Sequence, residues 1–406
     1  MYTRLKKLFS IKGYSLFVIC LLLVGIGISI TQPYLSLYAT EDLGMSTGAF
    51  GVLMAVSSLS GVVVNSLIAK RSDSGLNRKS LIISAMLSSA LGYASYLIFK
   101  NYFILLIVVT LFNGLGAPAM PQIYASAQES ANESKTDDKT FAMSTLRSLV
   151  SLGFLLGPLG GTFILGLLGY KGLFLLTSAI YLVIASLVFL FLKKRKGAQG
   201  ITRKRQSVGT SSLRNRQIRQ PLIAFILLFA VNAINGINTP LFIVNEIHGT
   251  HKDVGLVVSI SAGLEIPIMI VLGALGKKLS NHVLIMSSCL IAVIYYTILS
   301  VSSHTWELIV AQLLQAAFVA IVMGNGLSYF TDLLPHSPGL STTIYSNGST
   351  IGRLVGNMGG GIAAQFIGFR HVNWVCLAIV LLSFFILWRI KFQEEIQEHT
   401  GHARSV

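Results

Sequence analysis

Apolar runs of eighteen or more residues recur along this chain from end to end, and each is long enough to cross the hydrocarbon core of a bilayer. Twelve spans are read, at approximately 14–37, 48–69, 80–99, 102–125, 142–168, 172–192, 220–244, 253–276, 283–302, 306–331, 341–367 and 372–391. In lipid every backbone N–H and C=O needs a partner, and a helix supplies its own. The short alternating segments of a transmembrane barrel are absent. Composition agrees: 53% of the 406 residues are hydrophobic, 11% are charged, and mean hydropathy is +0.71. The expected fold class is an all-α membrane protein.

The net charge of +16 points at first to nucleic acid, but its placement excludes that partner. With the N-terminus inside, the inner side holds 25 of the 31 Lys and Arg. The outer loops hold Lys100, Lys171, Lys252 and Arg370, and Arg147 and Arg353 lie within spans. This bias predicts both termini in the cytosol. The opening segment "YTRLKKLFSIKGYSLFVICLLL" has the charge of a signal peptide. Its apolar run is too long and no small-residue cleavage site follows, so it is read as the first helix. Cys20, Cys289 and Cys376 all fall within spans without metal spacing, and are read as packing residues.

The longest polar break, Lys193 to Gln220, carries ten basic residues and no acid. It cannot build a core, and is expected to be a cytosolic linker touching anionic headgroups. It divides the chain into an N-terminal bundle (1–192), a linker (193–219), a C-terminal bundle (220–392) and a cytosolic tail (393–406). The two halves repeat. "GFLLGPLGG" (Gly153–Gly161) in span five matches "GRLVGNMGG" (Gly352–Gly360) in span eleven, 199 residues on. "GVLMAVS" from Gly51 matches "GLVVSIS" from Gly255, and "ITQPYL" around Pro33 matches "INTPLF" around Pro240. Three pairs in one order indicate a duplicated six-helix unit, an arrangement that places a cavity between parallel repeats.

This organisation resembles the major facilitator superfamily over essentially the whole chain, which implies two pseudo-symmetric six-helix bundles. In the loop after span two, "AKRSDSGLNRKS", the residues Asp73, Arg78 and Lys79 match the superfamily signature, while Ala69 and Leu76 stand where glycines are usual. Gly153, Gly157, Pro158 and Gly161 match the antiporter motif of span five, with Thr162 in place of a final glycine. An Arg familiar in span four of drug–proton antiporters is missing from "LFNGLGAPAMPQIYA". More specifically, the chain resembles the bacterial sugar efflux transporters. "AKRSDS", "AMPQ" (Ala119–Gln122), Arg147 ahead of span five's Gly-Pro, "AGLEIP" (Ala262–Pro267) and "DLLP" (Asp332–Pro335) followed by "TTIYSN" carry that likeness. It implies export of sugars or glycoside-like solutes, driven by protons.

Among fifteen Asp and Glu, Glu265 alone lies in mid-span. It is twelve residues beyond Asp253, roughly 18 Å into the membrane at 1.5 Å per residue. A charged side chain there costs about 3 kcal/mol on insertion scales, so intramembrane acids usually face a pathway. Loss of water favours the neutral acid, which suits proton exchange. Pro267, two residues on, disturbs the helix ladder. Arg353 lies at comparable depth and cannot shed its charge, so it needs water or a partner. Glu265 and Arg353 are therefore the proton-coupling candidates. Arg147, near the inner end of span five, either snorkels to the interface or faces a cavity. Asp73, Arg78, Lys79, Arg147 and Asp332 form the expected gating set.

In span seven, Asn232, Asn235 and Asn238 recur every three residues and drift slowly round one helix face. Carboxamides facing lipid are costly. They both donate and accept, which suits hydroxyl-rich ligands. Asn113, Gln312, Gln315 and Asn347 add the same chemistry on spans four, ten and eleven. For each amide taken singly, an interhelical hydrogen bond is an equal alternative. Together they make the expected substrate-binding set.

The reading is a secondary transporter exporting a small polar solute by alternating access, with protons, membrane lipids and the solute as partners. A monomer is expected, with no cofactor and no metal. Proton-coupled multidrug efflux is the nearest alternative. A membrane enzyme acting on lipid-linked sugars is the more distant one. It would need clustered acids or a His–metal set, and the eight His lie in loops and tail without HExxH spacing.

Overall fold

A computed structural model of the chain describes residues 13–72, 77–134, 139–192, 216–275, 279–335 and 337–403, with Leu8 and Ile11. Its regular structure among these residues is helical. In chain order the helices are α1 (Tyr14–Ser29), α2 (Gln32–Glu41), α3 (Thr47–Ser72), α4 (Arg78–Ile98), α5 (Tyr102–Gly116), α6 (Ala119–Glu133), α7 (Lys139–Phe191), α8 (Arg216–Asn245), α9 (His251–Leu275), α10 (Asn281–Val301), α11 (Thr305–Leu333), α12 (Pro338–Ile367) and α13 (Phe369–Ala403).

Ten stretches are long and apolar enough to cross a membrane, and one of them, Phe141–Phe191, holds two helices that meet at Gly169. Gly169 takes φ 65, a left-handed backbone that glycine adopts without cost. α12 is 30 residues long but falls outside those ten stretches, because Thr343, Asn347, Arg353 and Asn357 dilute its apolar content. Counting it gives twelve crossings among the described residues. Span one is α1 continued by α2, and span four is α5 continued by α6. The first break falls just before Pro33 and the second at Pro118, since a proline ring clashes with the carbonyl four residues back. Span seven runs through Pro240 unbroken.

The chain divides into two compact units. One comprises Met1–Met45, Val56–Arg203 and Val254–Ser259; the other comprises Ser46–Ala55, Lys204–Asp253 and Ile260–Val406. The first part of α3, to Ala55, and the stretch Val254–Ser259 of α9 thus each belong to the unit built mainly from the opposite half of the chain. Of the expected linker, residues 193–215 lie outside the described residues.

The core of the first unit joins α1, α4, α6 and α7 through Phe17, Leu21, Ile82, Ile123, Leu146 and Ile184. In the second unit the rings of Phe225, Phe229, Phe330 and Tyr345 tie α8 to α11 and α12, with the Phe225 and Phe330 centroids 4.9 Å apart. Large apolar side chains such as Phe103, Ile107, Phe163 and Phe366 stand outward. In water such surface would aggregate; in lipid it is the solvated face.

The glycine repeat has a direct physical meaning. A Cβ on Gly153 would meet the Gly25 backbone at 2.7 Å, and one on Gly157 would meet Ile30 N at 3.0 Å and run into Ser29 Oγ. In the other half a Cβ on Gly352 would lie 2.5 Å from Ile226 O, and one on Gly356 would lie 2.8 Å from the Ala230 Cα. Span five therefore packs backbone to backbone on span one, and span eleven does the same on span seven. The two bundles are pseudo-symmetric. A fourth matched pair, missed in the sequence reading, is "GYKG" from Gly169 and "GFRH" from Gly368, again 199 residues apart. Both glycines have positive φ and each opens the sixth helix of its half.

Candidate functional site

The amide residues of span seven fall into an interhelical network within the second unit. Asn232 Oδ1 accepts from Gln315 Nε2 at 3.4 Å. Asn235 Oδ1 accepts from Thr239 Oγ1 at 2.9 Å and from the Tyr295 hydroxyl at 3.2 Å. Asn238 Nδ2 donates to Phe369 O at 2.9 Å and to Asn373 Oδ1 at 3.3 Å. Gln312 Nε2 donates to Leu308 O at 2.9 Å. The three-residue drift thus carries Asn232 toward α11, Asn235 toward α10 and Asn238 toward α13. Asn238 is buried and engaged in holding α13, while Asn232 and Asn235 are half-buried. Gln315 is 4% exposed, and its Oε1 has no donor among the described residues. Asn238 Oδ1 and Asn373 Nδ2 are buried and unmatched in the same way. Buried polar atoms are rarely left so without water or a ligand to complete them. Tyr295, which the sequence reading did not single out, joins the network through its hydroxyl; its only sequence signal is a tyrosine pair in an apolar helix. Asn113 is half-buried and Asn347 exposed, and neither side chain makes a hydrogen bond among the described residues.

Glu265 lies fourteen residues into α9, half-buried, with Pro267 in the same helix. Arg353 is exposed on α12. Neither side chain makes a hydrogen bond or ion pair among the described residues, so the structure does not join the two coupling candidates to each other.

Two clasps tie third helices to fourth helices within each half. In the first unit the Arg78 guanidinium pairs with Glu129 at 2.8 Å and donates to Gln122 Oε1 at 2.9 Å. In the second, Asn281 Nδ2 donates to Asp332 Oδ2 at 2.7 Å, and Asn325 Nδ2 donates to Asn281 Oδ1 at 3.1 Å. Asn281, Asp332 and Asn325 each stand 203 residues beyond Arg78, Glu129 and Gln122. The pattern is repeated, with an amide replacing the guanidinium. Of the other gating candidates, Lys79 reaches the Phe189 carbonyl at 2.6 Å, Arg147 is exposed on α7, and Asp73 lies outside the described residues. The antiporter-motif residues make packing contacts. Tyr34 donates its hydroxyl to Pro158 O at 2.8 Å and meets Thr162 Oγ1 at 2.5 Å.

The sequence and the fold match known proteins. The sequence model of the Major Facilitator Superfamily matches residues 17–305 and 222–404. The chain belongs to that superfamily. Within it the transporter is 31% identical to Sugar efflux transporter B of Salmonella typhimurium, over 92% of this chain and 95% of that one. It is 30% identical to Sugar efflux transporter A of Dickeya chrysanthemi, over 93% and 95%. Identity at this level over nearly the full length places the transporter in the sugar efflux family, as a multi-pass membrane protein and not an enzyme. In structure it is similar to the nucleoside transporter NupG, with a TM-score of 0.79 at 12% identity, covering 93% of this chain and 97% of that one.

Proposed function

We propose that this transporter exports sugars or glycoside-like small polar solutes across the bacterial cytoplasmic membrane by alternating access, with proton antiport and both termini in the cytosol. The observation that carries the solute class is the unmatched Gln315 Oε1, buried beside Asn232 within a lattice of amides and a tyrosine hydroxyl. An acceptor in want of a donor, with amides that both give and take, is what a sugar hydroxyl completes. Asn232, Asn235, Gln312 and Gln315 form this set, with Asn113 and Asn347 supplying further amides; Asn238 contributes by holding α13. Glu265 carries the proton, and Arg353 is the fixed cation of the same unit. The Arg78 and Asp332 clasps, with Asp73, set the stiffness of the inner gate. The bundles 1–192 and 220–392 act as the moving bodies, joined by the basic linker. The sugar efflux names of the relatives support the same reading.

The test is counterflow into proteoliposomes of the purified transporter, with a panel of labelled mono- and disaccharides, alkyl glycosides and lipophilic cations. Saturable exchange of at least one sugar or glycoside, competed by others of that class, is expected. Exchange of lipophilic cations with none of any sugar would replace this reading with multidrug efflux.

A further inference from the structure

A groove of about 310 Å³ runs along the outer face of the first unit, between α4 and the second part of α7. Ile83 and Leu87 line it on α4; Leu182, Ser186, Phe189 and Leu190 line it on α7. Leu87 is 42% exposed, Leu182 46%, Phe189 64% and Leu190 68%, so nothing among the described residues covers these walls. Lys79 stands one turn before Ile83 and two before Leu87 on the same helix face, and so closes one end. Its Nζ donates to the Phe189 carbonyl at 2.6 Å and lies 5.4 Å from the centre of the Phe189 ring. No carboxylate pairs with Lys79 among the described residues. Its neighbour Arg78, by contrast, is neutralised by Glu129.

We propose that this groove is a binding site for an anionic phospholipid, with an acyl chain along the Ile83–Leu87 and Leu182–Phe189 walls and the headgroup phosphate on Lys79. Hydrocarbon matches walls whose only polar side chain is Ser186. A primary ammonium at the polar end, held in place by a carbonyl and a ring and by no acid among the described residues, is complementary to a phosphodiester. Lys79 therefore acts at the lipid interface, where its sequence position had implied a gate. The proposal takes from the reading above only the leaflet, cytosolic by the orientation proposed there, and does not depend on the solute.

The experiment uses the full-length transporter in nanodiscs doped with phosphatidylglycerol carrying a photoreactive acyl chain, or with phosphatidylcholine carrying the same chain. Labelled peptides are mapped after irradiation with no solute present, so a failed transport reading leaves the result intact. Phosphatidylglycerol should label the 83–87 and 182–190 segments in preference to phosphatidylcholine. Lys79→Gln should lower that preference about fivefold, the equivalent of one interfacial cation. Lys79→Arg should keep it, and Ser186→Phe should remove labelling by both lipids. Continued phosphatidylcholine labelling of Lys79→Gln serves as the check that the variant is folded. Equal labelling by the two lipids in the unaltered transporter, or an unchanged preference in Lys79→Gln, would overturn the proposal.

Discussion

At the scale of single residues, Glu265 differs from every other acid in the chain. It sits deep in an apolar helix, and its side chain has no hydrogen-bond or ion-pair partner among the described residues. Coupling requires that a proton bind the two transport states unequally, because equal binding shifts nothing. Glu265→Gln mimics the permanently protonated acid. It is expected to abolish uphill, proton-driven export while downhill solute exchange continues, since the carrier still changes conformation. Both assays on one purified variant decide the matter: normal uphill accumulation with normal pH dependence would make the carboxylate structural. The asparagines of span seven are unlike one another in this respect. Asn238 is locked by Phe369 O and Asn373, whereas Asn232 faces an amide that still lacks a donor.

At the scale of helices, the glycines of spans five and eleven decide how closely backbones approach. Gly157 packs on Ser29 and Ile30, and Gly356 on Ala230, with no room for a side chain. Gly166 in span five has nothing within 4 Å of an added Cβ. Gly157→Leu and Gly356→Leu are therefore expected to destabilise their bundles by similar amounts, on the order of 1–3 kcal/mol or more, as overpacking of a tight contact does. Gly166→Leu, facing open space, should be close to neutral. Thermal unfolding of the three variants in one detergent checks this, and loss of stability in Gly166→Leu equal to the others would remove the packing explanation.

At the scale of the whole molecule, the two six-helix halves of the chain are joined through a segment too basic and too poor in apolar residues to build a core. If those halves are the moving bodies, covalent continuity between them is not part of the transport chemistry. Two separately encoded pieces, 1–205 and 206–406, are expected to assemble in the membrane and retain measurable export. Complete loss, with both pieces present and co-purifying, would mean that the linker takes part in the cycle.

Twelve crossings, the duplicated halves and the isolated acid were all legible in the sequence, because each rests on something local. Hydrocarbon thickness fixes how long an apolar run must be, a repeat is self-similarity along the chain, and one acid in an apolar run has no rival. Even so, α12, read as a span with the other eleven, is too polar to qualify by hydropathy alone. The partner of each polar side chain was not legible. Spacing put three asparagines on one face, but only packing shows that Asn238 bonds α13 while Asn232 meets α11. The two clasps likewise join residues about fifty apart in sequence, and their equivalence appears only when both contacts are seen. The same holds for Lys79, whose neighbourhood in sequence reads as a gate and whose neighbourhood in space is the end of span six. Helices in a bilayer follow from the length and polarity of short segments. Hydrogen-bond partners follow from how those helices rotate against one another, and that is settled by close glycine contacts and ring packing summed over the whole bundle.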